Sequence, residues 1–307
     1  MIPVAVAFTP EYFIPAATML RSLLDTSSAG YKIICLVTEA LPERMLVKLN
    51  EMGEGRLQVE CVSLKGRLKD IYISPRYTEA ASFRLLLPEL FPEYDRMYYI
   101  DCDIIIRQDI GRLYDEIDLK DNYLACVLEA SEDGQINRIQ KLGCNPYRYF
   151  NSGFLLMNLD QMRKEKVTER LLDACRVDYL VFPDQDALNI VCKDRIVPLE
   201  PKYNAIRTFF IPKYKKTFLK WYSERDWTVV QREGTIHYTG ARVKPWIMFT
   251  VQFDKWWLTY EKLPLEIRNE WEPPKRVRFY WSIYRYPVFR HGINAVRWLK
   301  RQLINKD

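Results

Sequence analysis

The sequence lacks the long apolar runs and the paired cysteines that mark membrane-spanning and disulfide-stabilised proteins. No stretch approaches the 18 consecutive apolar residues of a membrane-spanning helix. The seven cysteines are scattered and form no CxxC pair, which argues against a disulfide framework and a structural zinc site. The apolar segment 1–8 has neither the basic stretch nor the cleavage site of a signal peptide, so we expect a strand there. These absences favour a protein of the reducing cytoplasm.

Histidine is also scarce, since only His237 and His291 occur in 307 residues. Hydrolases that use two metal ions need several histidine and aspartate ligands, so this scarcity counts against a metal-dependent phosphohydrolase. The sequence contains no internal repeat or low-complexity segment, and 48% of its residues are hydrophobic. The chain is therefore long and apolar enough for one large α/β domain, with or without a smaller appendage.

Strand-like and helix-like segments alternate through the first half of the sequence. The predicted strands are residues 2–8, 31–38, 57–63 and 97–100, and the predicted helices are residues 18–24, 43–52 and 79–87, the last stopped by Pro88. This order predicts a parallel sheet with helices on both faces. Later in the chain we predict strands at residues 149–159 and 235–238 and a helix at residues 185–191.

The positive charge of the chain is concentrated at the C-terminus. The net charge is +6, and residues 275–307 contain nine basic residues and one acidic residue, so residues 1–274 carry a net charge of −2. We divide the chain into a main domain, residues 1–272, and a basic, aromatic C-terminal extension, residues 273–307. Within the extension an apolar stripe at helical spacing is formed by Ile293, Val296, Leu299 and Leu303.

Basic and aromatic residues beside an apolar stripe are typical of a helix that lies on an anionic membrane surface. The alternative is a stripe that packs on the main domain and leaves its charges in solvent. Nucleic acid is a second kind of anionic partner, but the sequence contains no recognition motif for it, and we expect no such partner.

Asp101 and Asp103 follow the predicted strand 97–100 and are separated by Cys102. Two carboxylates two residues apart on an extended segment point to the same side. Ligands of open α/β sheets bind at the carboxyl ends of strands, where such a pair suits a hard divalent cation that bridges a diphosphate. The alternative is a solvated turn. Apolar residues on both sides of the pair favour the cation, because unpaired buried carboxylates are costly.

His237 lies in a predicted short strand before Gly240, and Lys244 follows seven residues after the histidine. A neutral imidazole would complete an Asp/Asp/His site for manganese or magnesium. The lysine and the glycine backbone would hold phosphate oxygens. The alternative is a core histidine beside a surface lysine.

Amide and carboxylate side chains lie beside apolar runs at two further places, Asn151 and the segment 184–186. Such planar groups can pair with the vicinal hydroxyl groups of a sugar. The alternative for Asp184 is a helix N-cap with an acidic first turn.

In this order, the four segments resemble the retaining family 8 glycosyltransferases, which include bacterial lipopolysaccharide galactosyl- and glucosyltransferases and glycogenin. The resemblance runs from residue 2 to residue 246 and covers the first strand, the aspartate pair, the two amide segments and the segment 237–246. It implies a GT-A fold, in which a Rossmann-like nucleotide-binding sheet with helices on both faces is joined to an acceptor-binding half.

The resemblance also implies a role for each motif residue. The expected ligands of Mn²⁺, or of Mg²⁺, are Asp101, Asp103 and His237. The residues expected to contact the UDP-sugar donor are Ala7, Thr9, Tyr12, Arg84, Asp101, Cys102, Gly240 and Lys244. The residues expected to line the transferred sugar and carry the catalytic chemistry are Asn151, Asp184 and Gln185. Asp186 is a further candidate catalytic residue because it is the nearest carboxylate in sequence, although the sequence does not give the direction of its side chain. Glu129 falls where the family has an acidic residue near the acceptor.

Two positions depart from the family pattern. Thr9 stands where the family often has an aspartate that pairs with uracil, which weakens the expectation of uracil selection. The loop from His237 to Lys244 is one residue longer than the common pattern, which makes Arg242 a candidate phosphate contact.

The activity implied by the resemblance is transfer of galactose or glucose, with retention, from a UDP-sugar to a hydroxyl group of a glycan acceptor. The acceptor would be lipid-linked, cell-surface or protein-linked, and the basic extension predicts an enzyme on the inner face of the membrane. Gln185 is a poor nucleophile, which favours front-face transfer over double displacement. A non-catalytic, membrane-associated scaffold for nucleotides or glycans is the alternative, but a scaffold would be expected to lose part of the Asp/Asp/His/Lys set.

Overall fold

The computed structural model describes residues 1–68, 71–75, 78–290 and 292–293 of the chain. The strands β1 to β10 are Ile2–Phe8, Tyr31–Val37, Leu57–Ser63, Arg96–Ile100, Ile104–Ile105, Leu124–Leu128, Phe150–Asn158, Ile196–Pro198, Ala205–Ile206 and Ile236–His237. The helices α1 to α13 are Phe13–Thr26, Glu43–Met52, Leu87–Leu90, Ile110–Glu116, Asp133–Lys141, Leu159–Lys164, Val167–Ala174, Pro183–Cys192, Lys215–Phe218, Glu224–Glu233, Phe253–Tyr260, Leu265–Arg268 and Lys275–Tyr284. Short 3₁₀ helices span Pro10–Tyr12, Glu79–Leu86, Pro146–Arg148, Pro201–Tyr203, Arg207–Phe210 and Pro212–Tyr214.

Seven strands form one sheet in the order β3-β2-β1-β4-β7-β6-β8. Strands β3, β2, β1 and β4 are parallel to one another. The strands predicted from the first half of the sequence are thus parallel, as expected. Strand β7, whose direction the sequence did not indicate, is antiparallel to both β4 and β6, so the sheet as a whole is mixed. Because β7 reverses the direction between them, β4 and β6 end at the same edge of the sheet as β1. The predicted α/β class, a central sheet flanked by helices, is confirmed.

Both faces of the large sheet are buried. Val4 and Val6 of β1 pack in one hydrophobic cluster with α1, while Ala5 and Ala7 pack in a second cluster with α8 on the opposite face. Successive strand residues point to opposite faces, so a continuous apolar run such as β1 supplies both clusters.

A second, smaller sheet has the order β5-β10-β9 and is joined to the large sheet by the turn between β4 and β5. Strand β10 is antiparallel to β5, with His237 opposite Ile104, and parallel to β9, with His237 opposite Ile206. This sheet brings a segment from late in the chain next to the end of β4.

Two predicted helices differ in detail from the structure. The segment 79–87 forms a 3₁₀ helix, Glu79–Leu86, and Pro88 does not end it, because this proline lies in the first turn of α3, where its missing N–H is tolerated. Helix α1 begins at Phe13, five residues before the predicted start, with Pro15 in its first turn. The strand predicted over residues 31–38 ends at Val37.

Helix α13, in the C-terminal extension, packs on the main domain. Val277, Trp281 and Tyr284 are buried, and the Trp281 ring stacks on Trp257 of α11 with a centroid distance of 5.8 Å. The division at residue 272 stays a prediction, since α13 and α11 share one hydrophobic cluster. Outside the described residues lie Val296, Leu299 and Leu303 of the predicted apolar stripe. Within the described part of the chain, no helix is both long enough and apolar enough to cross a bilayer.

Candidate active site

Asp101 and Asp103 lie at the carboxyl end of β4, the middle strand of the large sheet. The Asp101 N–H donates to the carbonyl oxygen of Gly153 on β7 at 2.8 Å, and the carbonyl oxygen of Asp103 accepts from the Tyr238 N–H at 3.0 Å. The pair is thus fixed between the two sheets. Since β5 follows the pair directly and is antiparallel to β10, the register of these strands brings His237 to the same place.

Three candidate metal ligands converge at this junction. One ligand atom each of Asp101, Asp103 and His237 lies within 4.8 Å of the others. His237 Nε2 lies 3.3 Å from Asp103 Oδ1 and 3.7 Å from Asp101 Oδ2. The other ring nitrogen, Nδ1, lies 3.0 Å from Oδ1 of the buried Asn204. A proton on Nδ1 that is donated to Asn204 leaves the Nε2 lone pair directed at the carboxylates, as in metal-binding histidines.

Strand β7 supplies no ligand to this site, but its residue Gly153 leaves room for the side chains that do. A Cβ atom on Gly153 would lie 2.3 Å from His237 Cε1 and 2.7 Å from Asp101 Oδ2, which is closer than real Cβ contacts allow. The position that faces His237 and Asp101 therefore has to be glycine. Two carboxylates and one neutral imidazole fit a divalent cation such as Mn²⁺ or Mg²⁺, which would take further ligands from substrate oxygens.

Each aspartate of the pair also contacts one buried protein cation. Lys244 Nζ contacts the Asp103 carboxylate, and Arg84 Nη2 lies 2.9 Å from Asp101 Oδ1. Burial opposes the ionisation of Asp103, but Lys244 and His237 outweigh it, so the pKa of Asp103 lies well below its ordinary value. Burial would lower the pKa of Lys244, but the attraction of Asp103 raises it above its ordinary value. The site therefore holds a charged lysine against a charged carboxylate.

Arg84 joins this pair to the first turn of α8. Its Nε lies 3.2 Å from Asp184 Oδ2, and its Nη1 donates to the Ser152 carbonyl oxygen at 2.6 Å. Burial raises the pKa of Asp184, although Arg84 opposes part of that shift. Burial would lower the pKa of Arg84, but neighbouring carboxylates, Asp101 first among them, raise it. A guanidinium that stays charged while buried is suited to a phosphate.

The Gln185 amide is held by hydrogen bonds at both ends. Its Oε1 accepts from Asn151 Nδ2 at 3.0 Å and from the Ser152 N–H at 3.1 Å. Its Nε2 donates to Glu129 at 2.6 Å and to the Tyr149 hydroxyl at 3.2 Å. Burial raises the pKa of Glu129, although the hydrogen bond from Gln185 opposes part of that shift. The predicted residues Asn151, Asp184 and Gln185 therefore do lie together, beside the predicted acceptor residue Glu129.

Asp186, the further candidate catalytic residue, does not lie with this group. The side chain is fully buried and accepts from the Tyr149 hydroxyl at 2.5 Å, from the N–H of Val181 and of Phe182 at 3.1 and 3.0 Å, and from Arg138. Neighbouring residues of an α-helix point about 100° apart, so Asp186 leaves the face of α8 that carries Gln185. Asp186 anchors the start of α8.

The site opens into a cavity of about 450 Å³. The segment after β1 lines one side of this cavity and the segment after β6 lines the other, with the end of β4 between them. The predicted residues that line it are Ala7, Thr9, Tyr12, Arg84, Asp101, Cys102, Asp103, Asn151, Asp184, Gln185, His237, Gly240 and Lys244. Arg242 is exposed and does not line it.

Three further residues of the site carry no motif in the sequence. The Tyr99 hydroxyl donates to Asp101 Oδ1 at 2.9 Å; its place two residues before Asp101 on a strand, and so on the same face, could have indicated it. Asn204 and Arg207 reach the site only through the pairing of β9 with β10. A pairing between distant segments leaves no local pattern that would identify these two residues.

Comparison with known proteins identifies the family to which this chain belongs. The sequence model of the family described as "Glycosyl transferase family 8" matches residues 3–249. General stress protein A of Bacillus subtilis (strain 168) is 33% identical over 184 residues, which are 56% of this chain and 61% of that protein. A lipopolysaccharide 1,2-glucosyltransferase of Escherichia coli is 27% identical over 247 residues, which are 77% of this chain and 70% of that protein. The chain thus spans about three fifths to seven tenths of the length of these relatives.

Solved structures share the fold. The galactosyltransferase LgtC, in complex with donor and acceptor sugar analogues, superposes with a TM-score of 0.69 at 19% identity, over 88% of this chain and all of that one. The apo bifunctional glycosyltransferase WbbM gives a TM-score of 0.71 at 21% identity, over 87% of this chain and 51% of that one.

Proposed function

Because this chain belongs to glycosyl transferase family 8, with the GT-A fold expected of it, we propose that it transfers galactose or glucose from a UDP-sugar to a hydroxyl group of a glycan acceptor. Transfer would proceed with retention of the anomeric configuration. The observation that carries this proposal is the convergence of Asp101, Asp103 and His237, with Lys244 and Arg84 beside them, at one cavity.

We assign the donor and the acceptor to opposite sides of the cavity. Its volume lies in the range of small-molecule sites. The donor nucleotide would lie toward Ala7, Thr9 and Tyr12, since nucleotides bind at the carboxyl ends of such strands. The acceptor would enter on the opposite side, past Glu129. The diphosphate and the transferred sugar would then lie between them, over the end of β4.

A divalent cation held by Asp101, Asp103 and His237 would stabilise negative charge on the diphosphate as it departs. Lys244 and Arg84 would add hydrogen-bonding cations to the same oxygens, and such fixed electrostatic stabilisation is commonly the largest catalytic contribution. The aspartates then serve the leaving group and take no part as acid, base or nucleophile.

For the sugar itself we propose front-face transfer. Gln185 is a neutral amide whose oxygen already accepts two hydrogen bonds, which makes it a poor nucleophile. The Asp186 carboxylate does not line the cavity and accepts a hydrogen bond from Tyr149, so it is not placed to attack the sugar. The departing phosphate would accept the proton of the acceptor hydroxyl while Gln185 and Asn151 orient the sugar.

The experiment that tests the proposal measures hydrolysis and transfer with a panel of UDP-sugars, with Mn²⁺ or Mg²⁺ present and after chelation. We expect one hexose donor to dominate and chelation to abolish turnover. The variant Asp103→Asn removes one anionic oxygen from the metal site and should reduce turnover by at least about 100-fold, as loss of a transition-state charge contact does.

The matched control is Asp115→Asn, an exposed aspartate of α4, which should keep wild-type turnover. Near-normal, chelator-insensitive turnover of Asp103→Asn would contradict the metal site. Absence of turnover with every nucleotide sugar, in a protein that still binds Mn²⁺ and UDP, would favour the scaffold alternative.

We also propose that the C-terminal extension attaches the enzyme to an anionic membrane surface, on its inner face if the chain stays in the cytoplasm. One side of α13 is covered by α11, and the residues after it leave Tyr286, Val288 and Phe289 exposed, together with Phe279 on α13. The same segment of the sequence carries exposed basic residues, namely Lys275, Arg276, Arg278 and Arg285. Exposed aromatic and basic side chains in one segment are suited to the headgroup region of a bilayer.

A lipid-linked or cell-surface glycan is the acceptor that attachment to a membrane favours, and a protein-linked glycan is the alternative.

A further inference from the structure

Arg207 lies on the acceptor side of the cavity. It directly follows Ile206, the last residue of β9, and lines the cavity together with Thr208. Thr208 also faces Ala130 and Glu132 across a small cleft, which places this segment beside the loop that follows β6. Arg207 is therefore on the side of the aspartate pair opposite to β1 and the proposed nucleotide site.

The guanidinium of Arg207 has no partner within the described part of the chain. The side chain is half-buried, and its Nε is enclosed without a hydrogen-bond acceptor. The other cations of the cavity wall are engaged, Arg84 with Asp101 and Lys244 with Asp103. Because no carboxylate of the described residues pairs with this guanidinium, an anion that reaches Arg207 from the cavity gains a charged hydrogen bond without displacing an existing ion pair.

The charges around Arg207 restrict what can bind. Glu129 and Glu132 line the same side of the cavity and would repel an anion. Arg207 is the one cation on that side among the residues that the structure describes, so an anion that enters there has to meet it. Guanidinium groups bind carboxylate and phosphate through two parallel hydrogen bonds, which a neutral hydroxyl group cannot match.

We infer that Arg207 selects an acceptor sugar that carries an anionic substituent, either a phosphate or a carboxylate. This inference rests on the proposed function, since it names a class of acceptor for the same site. The donor diphosphate is the other anion within the cavity, but Lys244 and Arg84 lie at the aspartate pair, whereas β10 separates β9 from β5 and the end of β4.

The test compares matched acceptors that differ in one charged group. Binding of methyl β-galactoside and its 6-phosphate, and of methyl β-glucoside and methyl β-glucuronide, would be measured by NMR titration with UDP and Mn²⁺ present. We expect at least one charged member to bind the wild-type protein about tenfold more tightly than its neutral partner, as a charged hydrogen bond provides. The two pairs show whether the group is phosphate or carboxylate.

Two variants assign the preference to Arg207. Arg207→Gln should abolish the preference for the charged sugar, and Arg207→Lys should keep part of it. Lys213→Gln removes one charge from the exposed residue Lys213, outside the cavity, and should leave the preference unchanged. Thermal unfolding of each variant verifies that the fold persists.

The outcomes separate this inference from the proposed function. Equal binding of charged and neutral sugars by the wild type, with normal binding of UDP and Mn²⁺, would overturn the inference and leave the donor site intact. A tenfold loss of UDP affinity in Arg207→Gln would overturn it too, by assigning Arg207 to the diphosphate. Failure of the wild type to bind UDP with Mn²⁺ would instead contradict the proposed function.

Discussion

The single residue Asn204 connects the candidate metal ligands to the proposed sugar side of the site. Its Oδ1 is paired with His237 Nδ1, its Nδ2 donates to Asn151 Oδ1 at 2.9 Å, and Asn151 Nδ2 donates to Gln185. Asn204 is fully buried, so neither end of its amide has water as an alternative partner. The orientation of the histidine and that of the Gln185 amide are therefore coupled, and loss of Asn204 would disturb both.

Gly153 gives the sharpest test of the metal site at this scale. In Gly153→Ala the new methyl group would overlap His237 and Asp101 and force them apart. We expect Mn²⁺ affinity to fall by at least about tenfold and the free energy of unfolding to fall by about 1–3 kcal/mol, as in overpacked sites. Calorimetric Mn²⁺ titration and thermal unfolding measure the two effects.

The control for this prediction is Gly134→Ala on α5. A Cβ atom there meets nothing within 4 Å, so Mn²⁺ affinity should be unchanged and stability should rise by about 0.5–1 kcal/mol. Wild-type Mn²⁺ affinity in Gly153→Ala would show that the cation does not bind between these ligands.

Single residues were predictable from the sequence where their chemistry is local. Asp101 and Asp103 follow an apolar strand, and Lys244 follows a strand and a glycine, so a short window suffices to place them. The direction of Asp186 was not predictable because adjacent acidic residues look equivalent in sequence, although the rotation of α8 separates their faces. Arg207 needed the structure, since a lone arginine has no pattern.

At the scale of elements, the pairing of β10 with β5 and β9 assembles the site. Strand β10 has only two residues, and its sequence predicted a strand without indicating its neighbours. The pairing of β10 with β5 spans more than a hundred residues and is set by packing of the whole chain. The direction of β7 was not predictable either, because fully buried strands look alike in sequence whichever way they run.

The C-terminal extension gives a prediction at this scale. Replacing Phe279 and Phe289 together by serine removes two exposed rings, and neither ring belongs to the buried face of α13. Binding to vesicles of phosphatidylcholine and phosphatidylglycerol should fall by about tenfold or more, since each ring contributes about 1 kcal/mol or more of apolar burial. Sedimentation with vesicles measures the bound fraction.

Tyr179→Ser is the control, because Tyr179 is equally exposed and lies in a distant segment of the sequence. Unchanged vesicle binding in the double variant, or no binding of the wild type, would contradict membrane attachment. Truncation at residue 273 is a poorer experiment, since it would also uncover Trp257 of the main domain.

At the scale of the whole molecule, the candidate metal ligands come from both sheets, so the proposed donor and metal would bind only the assembled protein. A ligand at 100 times its dissociation constant stabilises the native state by about 2.7 kcal/mol. For a protein of this size we expect UDP and Mn²⁺ together to raise the unfolding temperature by about 5 °C, at about 2 °C for each kcal/mol. Differential scanning fluorimetry measures the shift.

Chelation should remove that shift, and Asp103→Asn should not show it. A shift of the same size with UDP alone would mean that the nucleotide binds without the cation.

The fold class was predictable at this scale because the alternation of strands and helices in the first half of the sequence is regular. The fold of the second half was not predictable, because its short strands and 3₁₀ helices give the sequence no regular hydrophobic period.

The distance in sequence between the candidate metal ligands has a consequence for how the protein is made. Asp103 and His237 are separated by 134 residues. At about 5–20 residues per second, a ribosome delivers the histidine on the order of 10 s after the aspartates. During that interval the nascent chain exposes an acidic pair that lacks both its histidine and its lysine. Tight cation binding would therefore report that synthesis has passed residue 244 and that the late segment has docked.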